Sequence, residues 1–365
     1  MSFFSVVESF ENFDFARYFE GVTEAQILKS IGKDKLHYKD FLNLISPLAE
    51  NYLEEMAQKV HDLTERFFGR TVQLYTPMYI ANMCVNKCRY CSYNVENTIK
   101  RKKLTIEEVE VEAKKISEEG FKHILVLTGE SKKHSPVEYI GDAVEILKKY
   151  FSSVTIEVYP LTVEEYKHLV NKGVDGLTVY QEVYNREIYK NVHLAGPKRN
   201  YGFRLDAPER GAMAGMKFIS IGALLGLDDF RKEAFFTALH GRYILNKYNN
   251  VDLSYSLPRI RPHVGIFNEV KDVSDRNLVQ SLLAMKLFEP SCNINISTRE
   301  SAEFREKLLP LGVRKISAGV STAVGGHSIE DSGDMQFEIN DSRSAKEIKK
   351  SLKEKGYQPI FKDWF

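Results

Sequence analysis

The chain has 365 residues, 43% hydrophobic and 28% charged, a globular balance with ample material for a large core. Its 51 basic residues stand against 50 acidic ones, so net charge offers no argument for nucleic acid or an anionic membrane. No apolar run reaches the length of a membrane span, and the start, Met-Ser-Phe-Phe-Ser-Val-Val-Glu, has no basic region leading into an apolar stretch. A soluble cytoplasmic protein is expected.

Residues 1–70 read as a helical extension that caps or packs against the rest of the chain, with 41–68 its longest stretch. From residue 71 onward, short β-branched runs alternate with segments of helical period, the pattern of βα units and a parallel sheet. The runs fall at 72–80, 123–128, 154–158, 176–180, 218–221, 253–257, 293–297 and 315–318. Helices are expected at 105–119, 137–150, 162–171, 205–214, 230–247, 275–287, 300–309 and 344–355. Thr105-Ile-Glu-Glu108 places acidic residues in an opening turn, as the helix dipole favours. Eight strands with eight helices predict an α/β fold, a closed (β/α)8 TIM-type barrel over 71–365, rather than an open sheet. The basic run Ile99-Lys-Arg-Lys-Lys103 is read as a solvated turn before the first of these helices.

The first strand runs into Cys84-Val-Asn-Lys-Cys88-Arg-Tyr-Cys91, which holds three of the chain's 4 cysteines. Three soft thiolates on one short loop suit an iron–sulfur cluster or a thiophilic metal. A four-iron cubane needs four ligands, so three cysteines leave one iron open to a further molecule. Zinc bound by three cysteines and one of the 9 histidines is the alternative, but no histidine lies in or beside the loop. Disulfides are the weaker reading for crowded cysteines in a chain of this kind. Cys292, apolar-flanked, is expected in the core.

Active sites of such barrels form at the C-terminal ends of the strands, and those positions carry polar chemistry. Thr128-Gly129-Glu130 follows the second run, Glu157 and Tyr159 the third, Gln181-Glu182 the fourth and Gly222 the fifth. Arg259 and Arg261 follow the sixth, Thr298-Arg299-Glu300 the seventh, and Ser317 and Ser321 the eighth. Carboxylates on one side suit an ammonium and ribose hydroxyls; arginines and serines on the other suit a carboxylate. Two amino-acid-like ligands are therefore expected. For any single residue, an ion pair at the barrel mouth is the alternative.

The C-x3-C-x2-C spacing, with Tyr90 before the last cysteine, resembles the radical S-adenosylmethionine (SAM) superfamily. From about Ile45 onward the chain resembles the 2-iminoacetate synthases, radical SAM tyrosine lyases of thiamin thiazole biosynthesis. The likeness runs through Arg101-Lys102-Lys103-Leu104-Thr105, Leu127-Thr128-Gly129-Glu130, Glu157-Val-Tyr-Pro160 and Val179-Tyr-Gln-Glu-Val-Tyr184. It continues in His193-Leu-Ala-Gly-Pro-Lys198, Arg204-Leu-Asp-Ala-Pro-Glu-Arg210, Gly222-Ala-Leu-Leu-Gly-Leu227, Pro258-Arg-Ile-Arg-Pro262, Ser297-Thr-Arg-Glu-Ser301 and the closing Lys362-Asp363-Trp364. Hydrogenase-maturation tyrosine lyase shares these later blocks but carries further C-terminal cysteines for a second cluster. With no cysteine after Cys292, the thiazole-pathway reading is the expected one.

The resemblance implies a [4Fe-4S] cluster on Cys84, Cys88 and Cys91, with SAM on the open iron. It implies one-electron cleavage of SAM to methionine and a 5′-deoxyadenosyl radical. That radical takes hydrogen from the amino group of L-tyrosine, and the Cα–Cβ bond breaks to give 2-iminoacetate (dehydroglycine), p-cresol and 5′-deoxyadenosine. For SAM it implies Tyr90 at the adenine, Glu130 at the ammonium and Arg204 at the carboxylate. Glu157 and Glu182 fall to the ribose or methionine group, and Gly222 with Ala223 to a close backbone approach to the adenine. Arg299 with Ser317 is the implied clamp for the tyrosine carboxylate, and Arg259 a weaker candidate. For the phenol, His193 and Tyr184 are conjectures, and a surface or core role is the stronger reading of each. Thiazole synthase and a reductant such as flavodoxin or ferredoxin are the implied partners. A lyase of the same family acting on tryptophan or a modified tyrosine, or a non-catalytic metal-binding scaffold, are the competing readings.

Overall fold

The structure, a computed structural model, describes residues 2–361; the Lys362-Asp363-Trp364 resemblance falls outside them. All eight expected strands form, each within two residues of the expected bounds. They are β1 (Thr71–Ala81), β2 (His123–Thr128), β3 (Ser153–Glu157), β4 (Gly176–Glu182), β5 (Phe218–Ala223), β6 (Asp252–Ser256), β7 (Asn293–Ile296) and β8 (Val313–Ser317). Neighbours pair in parallel from β1 to β8, and β8 returns to β1 through Gln73↔Lys315, so the barrel closes. Closure buries both strand faces, which is why these segments read as nearly continuous apolar runs rather than alternating ones; in β1 every residue after Thr71 is buried.

A ninth strand, β9 (Gln358–Ile360), is an addition that the sequence did not signal. It pairs with the start of β1 (Thr71↔Gln358), and the Lys122 amide donates to the Phe361 carbonyl below β2. Three residues with a central proline carry no usable periodicity.

The expected helices all appear, and their starts are local chemistry. Thr105 with Glu108, Thr162 with Glu165 and Ser344 with Glu347 form reciprocal capping boxes at Ile106–Glu118, Val163–Asn171 and Ala345–Glu354. The expected continuous 41–68 stretch is corrected. It divides into Tyr38–Ile45, a 3-10 turn Leu48–Tyr52 and Leu53–Phe68, because Ser46 before Pro47 is extended (φ −65°, ψ 156°). Proline disfavours helical backbone in the residue before it and lacks an amide donor.

The N-terminal helices lie against the outer helices Phe230–Lys247 and Asp275–Phe288. The Gln280 side-chain amide donates to the Leu44 and Ser46 carbonyls at 3.0 and 2.8 Å, and Phe41 meets Phe288 edge-on at 5.3 Å. The extension thus braces the barrel wall. No helix among the described residues is long and apolar enough to cross a membrane.

Candidate active site

After β1 the chain leaves the barrel through the cysteine loop and returns at residue 104. Arg101, within the basic run expected to be a solvated turn, turns inward instead. Its guanidinium donates to the carbonyls of Asn82 (2.7 Å), Tyr93 (3.0 Å) and Asn94 (2.7 Å), tying both ends of the loop together. The loop is pinned further by Asn86, which donates to Glu130 at 2.6 Å and accepts from the Lys198 amide at 2.9 Å. Cys88 pairs with His193 in an antiparallel bridge. Gly129 is required here: a Cβ would sit 2.4 Å from the Met83 carbonyl oxygen.

Burial pushes the Cys88 thiol up to about 12; the Lys198 ammonium opposes that shift while Cys91 and Cys84 add to it. Cys91 is raised as well, first by burial and then by Cys84. Cys88 and Cys91 thus stay protonated unless a positively charged group joins the loop. Among the described residues, no three His, Cys, Asp or Glu side chains converge as ligands of a single metal ion. A donor set of three thiols on one pinned loop fits an iron–sulfur cluster on chemistry.

Beside the loop, within the barrel mouth, lies a cavity of about 970 Å³, its open mouth included. Tyr90 and Cys91 stand on its wall with Tyr79, Glu157, Tyr180, Glu182 and Lys198; Ser297, Thr298, Arg299 and Ser317 complete it. The segment after β8 folds over the mouth and contributes Gln336 and Phe337. Tyr79 donates to the Gln336 amide oxygen at 2.8 Å, and the Gln336 amide nitrogen lies 3.9 Å from Cys91 Sγ.

The charged groups divide into two sets. Glu182 sits where the β4–β5 register shifts, and it is the one non-glycine with positive φ (71°) among the described residues, a strained conformation found where surrounding contacts fix it. Lys198 Nζ lies 2.7 Å and Arg204 Nη2 3.3 Å from its carboxylate, and Arg204 Nε donates to the Tyr180 carbonyl at 2.7 Å. Burial opposes the charge of Glu182, but Lys198 and then Arg204 overcome it and hold the carboxyl below its ordinary range.

Glu157 and Arg299 are different. Neither has an ion-pair partner among the described residues. Burial, and then the nearby Glu182, pushes Glu157 up to about 7. Burial also lowers Arg299, whose guanidinium lies 3.5 Å from the centre of the Phe337 ring and donates to the Arg259 carbonyl at 3.3 Å. Ser317 Oγ accepts from the Thr298 amide at 3.1 Å.

Other sequence expectations resolve by position. Arg259 pairs with Glu300 and with Asp275 (2.8 Å), so it is a mouth ion pair. Tyr184 is core, its hydroxyl 3.0 Å from His240 Nδ1. His193 stands behind Tyr90: Nδ1 is 2.8 Å from the Tyr189 carbonyl and Nε2 2.7 Å from the Tyr90 hydroxyl. A carbonyl only accepts, so Nδ1 carries the proton and Nε2 accepts from Tyr90. Burial keeps this imidazole neutral, its pKa well below the usual value.

Glu130 is engaged by Asn86 and lies outside the cavity wall, as do Arg204 and Gly222. A Cβ on Gly222 would meet the Ser256 carbonyl oxygen at 1.8 Å, so close packing of β5 on β6 accounts for the glycine without an adenine. Cys292 is buried in the core, as expected. Sequence reasoning assigned no role to Lys198, Gln336 or Phe337. The one signal for Lys198 was its place after Gly196-Pro197, where Gly196 takes φ 91° and a Cβ would strike Asn86.

A closed parallel barrel with a three-cysteine loop after its first strand defines a radical SAM enzyme. The Radical SAM superfamily signature matches residues 78–236, and that of the Biotin and Thiamin Synthesis associated domain matches 256–358. The chain belongs to the 2-iminoacetate synthase family. The 2-iminoacetate synthases of Escherichia coli (strain K12) and Salmonella typhimurium (strain LT2) are each 36% identical to it over 345 residues, 94% of this chain and 92% of theirs. A crystal structure of HydG, a maturase of the [FeFe]-hydrogenase, superposes with a TM-score of 0.89 at 32% identity, covering 95% of this chain and 79% of that one. Methylornithine synthase (PylB), at 21% identity and a TM-score of 0.73, shares the fold.

Proposed function

We propose that this chain is a radical SAM lyase that cleaves the Cα–Cβ bond of L-tyrosine to 2-iminoacetate and p-cresol, for the thiazole moiety of thiamin. The supporting observation is that one cavity has on its wall both a cysteine of the loop and a guanidinium with no ion-pair partner among the described residues, Arg299. A cofactor and an amino-acid substrate can therefore share one enclosed space. The names of the curated relatives support the same activity.

Cys84, Cys88 and Cys91 are assigned to the cluster. Bound there, cluster and SAM supply one-electron cleavage of a sulfonium and thus a hydrogen-abstracting radical. Glu182 and Arg204, with Tyr90 and Glu130 at the loop side, are assigned to SAM. Arg299 and Ser317 are assigned to the tyrosine carboxylate; the guanidinium can form a bidentate pair, and the Phe337 ring beneath holds its plane. Gln336 and Phe337 keep water from the reacting atoms. Thiazole synthase, as acceptor of the unstable imine, and a flavodoxin or ferredoxin are the proposed partners.

The test uses anaerobically reconstituted, dithionite-reduced protein with SAM and L-tyrosine. Tyrosine-dependent p-cresol, formed in step with 5′-deoxyadenosine and with glyoxylate from imine hydrolysis, is the expected result. 5′-Deoxyadenosine without p-cresol would move the substrate elsewhere, with tryptophan the first alternative. A colourless protein carrying stoichiometric zinc would favour the scaffold reading.

A further inference from the structure

An amino acid at neutral pH carries an ammonium and a carboxylate; among the described residues the cavity wall holds one carboxylate without an ion pair, Glu157, and two guanidiniums without one, Arg299 and Arg261. Resting on the lyase reading above, we infer that Glu157 receives the substrate ammonium and takes a proton from it, so that the amino group meets the radical as a neutral amine. This departs from the SAM ribose or methionine role expected of Glu157 from the sequence.

Position is the first support. Glu157 ends β3, level with Leu127 on β2, and faces the cavity. The other carboxylate on the wall, Glu182, is neutralised by Lys198 and Arg204, so an incoming ammonium gains little there. Arg299 lies within electrostatic reach of Glu157, yet no ion pair joins them. Both line the same cavity, where a zwitterion can meet each of them.

The proton transfer rests on chemistry. Hydrogen-atom abstraction from an ammonium would leave a high-energy nitrogen radical cation, whereas the neutral amine gives a neutral aminyl radical, so the neutral amine is the better hydrogen donor. The transfer balances without a redox partner: one N–H bond breaks, its electron pair stays on nitrogen, and the proton forms an O–H bond on Glu157. A general base works best with a pKa near the working pH, and Glu157 is pushed up to about 7, by burial first and then by Glu182. Arg299, Arg204 and Lys198 pull the other way. From β1 and β4, the hydroxyls of Tyr75, Tyr79 and Tyr180 face the same carboxylate. They are neutral in this range, since burial raises all three.

The experiment is equilibrium dialysis of labelled L-tyrosine against the reconstituted holoprotein with SAM and no reductant, for wild type and Glu157→Gln. Its partner ligand is 3-(4-hydroxyphenyl)propanoate, which lacks the amino group. Loss of one charge-assisted contact predicts about 10- to 100-fold weaker tyrosine binding by Glu157→Gln, with the amine-free acid bound equally by both proteins. Wild-type affinity for tyrosine should fall as pH drops below about 7, because the protonated carboxyl no longer attracts the ammonium. The variant should lose that dependence.

Unchanged tyrosine binding with weakened SAM binding in the variant would overturn the inference and restore the SAM role. If Glu157→Gln cannot be loaded with cluster, wild type alone decides. A pH-dependent affinity for tyrosine but not for the amine-free acid supports the inference, and parallel profiles overturn it. Failure of the lyase reading is separate, since it appears as a wild-type protein that makes no p-cresol.

Discussion

The two sets of charged groups at the cavity differ in how completely the protein satisfies them. Glu182, whose backbone is strained, has its carboxylate held by Lys198 and Arg204, and these charges close on themselves. Arg299, by contrast, lies over an aromatic ring with no carboxylate in ion-pair contact, and Glu157 has no cation in ion-pair contact among the described residues. Burying an unpaired charge is costly, so an enzyme keeps it where a ligand will complete it. The closed set stiffens the floor beside the cluster; the open set is the substrate's.

Breaking the cofactor loop tests the frame that both sets share and should have the largest effect. Cys88→Ala removes one of three thiols. We expect reconstituted iron to fall sharply and both SAM cleavage and p-cresol formation to be lost, measured by iron analysis and chromatography. Wild-type iron content and turnover would refute the ligand assignment.

The open set is next. Arg299→Ala should lower kcat/KM for tyrosine by about 100-fold or more, as expected for loss of a bidentate, charge-assisted contact. Cluster assembly and slow uncoupled SAM cleavage should persist. Equal loss of all three would mean that Arg299 serves SAM or the fold instead.

For the closed set the expected effect is on stability. Lys198→Met leaves Glu182 with the more distant Arg204, so the cost stays below the roughly 3–5 kcal/mol of a buried charge left wholly unpaired. Thermal unfolding should shift down by several degrees. The Glu182 carboxyl is depressed in the folded state, so its contribution is present above the unfolded-state pKa and is lost as pH falls through the folded one. The variant's deficit should therefore shrink in acid, and a deficit independent of pH would point to packing.

The smallest effect is expected from Phe337→Ala, which removes the ring under Arg299. A cation–π contact contributes about 0.5–2 kcal/mol, so KM for tyrosine should rise a few-fold while SAM cleavage stays unchanged. A fall in SAM cleavage would place the segment after β8 on the cofactor side.

The barrel was legible because its signals are local. β-Branched runs such as Val154 to Ile156 and Phe218 to Ile221 announce buried parallel strands, and Thr105 and Ser344 announce helix starts. Strand ends then exposed Glu157, Glu182, Arg299 and Ser317 as a ring. Pairing inside that ring was not legible. Lys198 reaches Glu182 from a loop 16 residues downstream, and Arg259 finds Glu300 from 41 residues away; no spacing rule encodes either contact. Arg101 was hidden for the same reason: a basic run looks solvated until one knows which carbonyls surround it. Pro47 was visible, but the apolar periodicity on both sides of it outweighed one residue.

The central claim is that the amino group of tyrosine faces the radical. It is tested most directly by running the reaction in D2O with ordinary L-tyrosine and weighing the 5′-deoxyadenosine by mass spectrometry. Amino hydrogens exchange with solvent, so the account predicts one deuterium in the 5′-deoxyadenosine formed with p-cresol. Unlabelled 5′-deoxyadenosine, under conditions in which p-cresol still forms, would mean that hydrogen comes from carbon and would contradict the placement of substrate between Glu157 and Arg299.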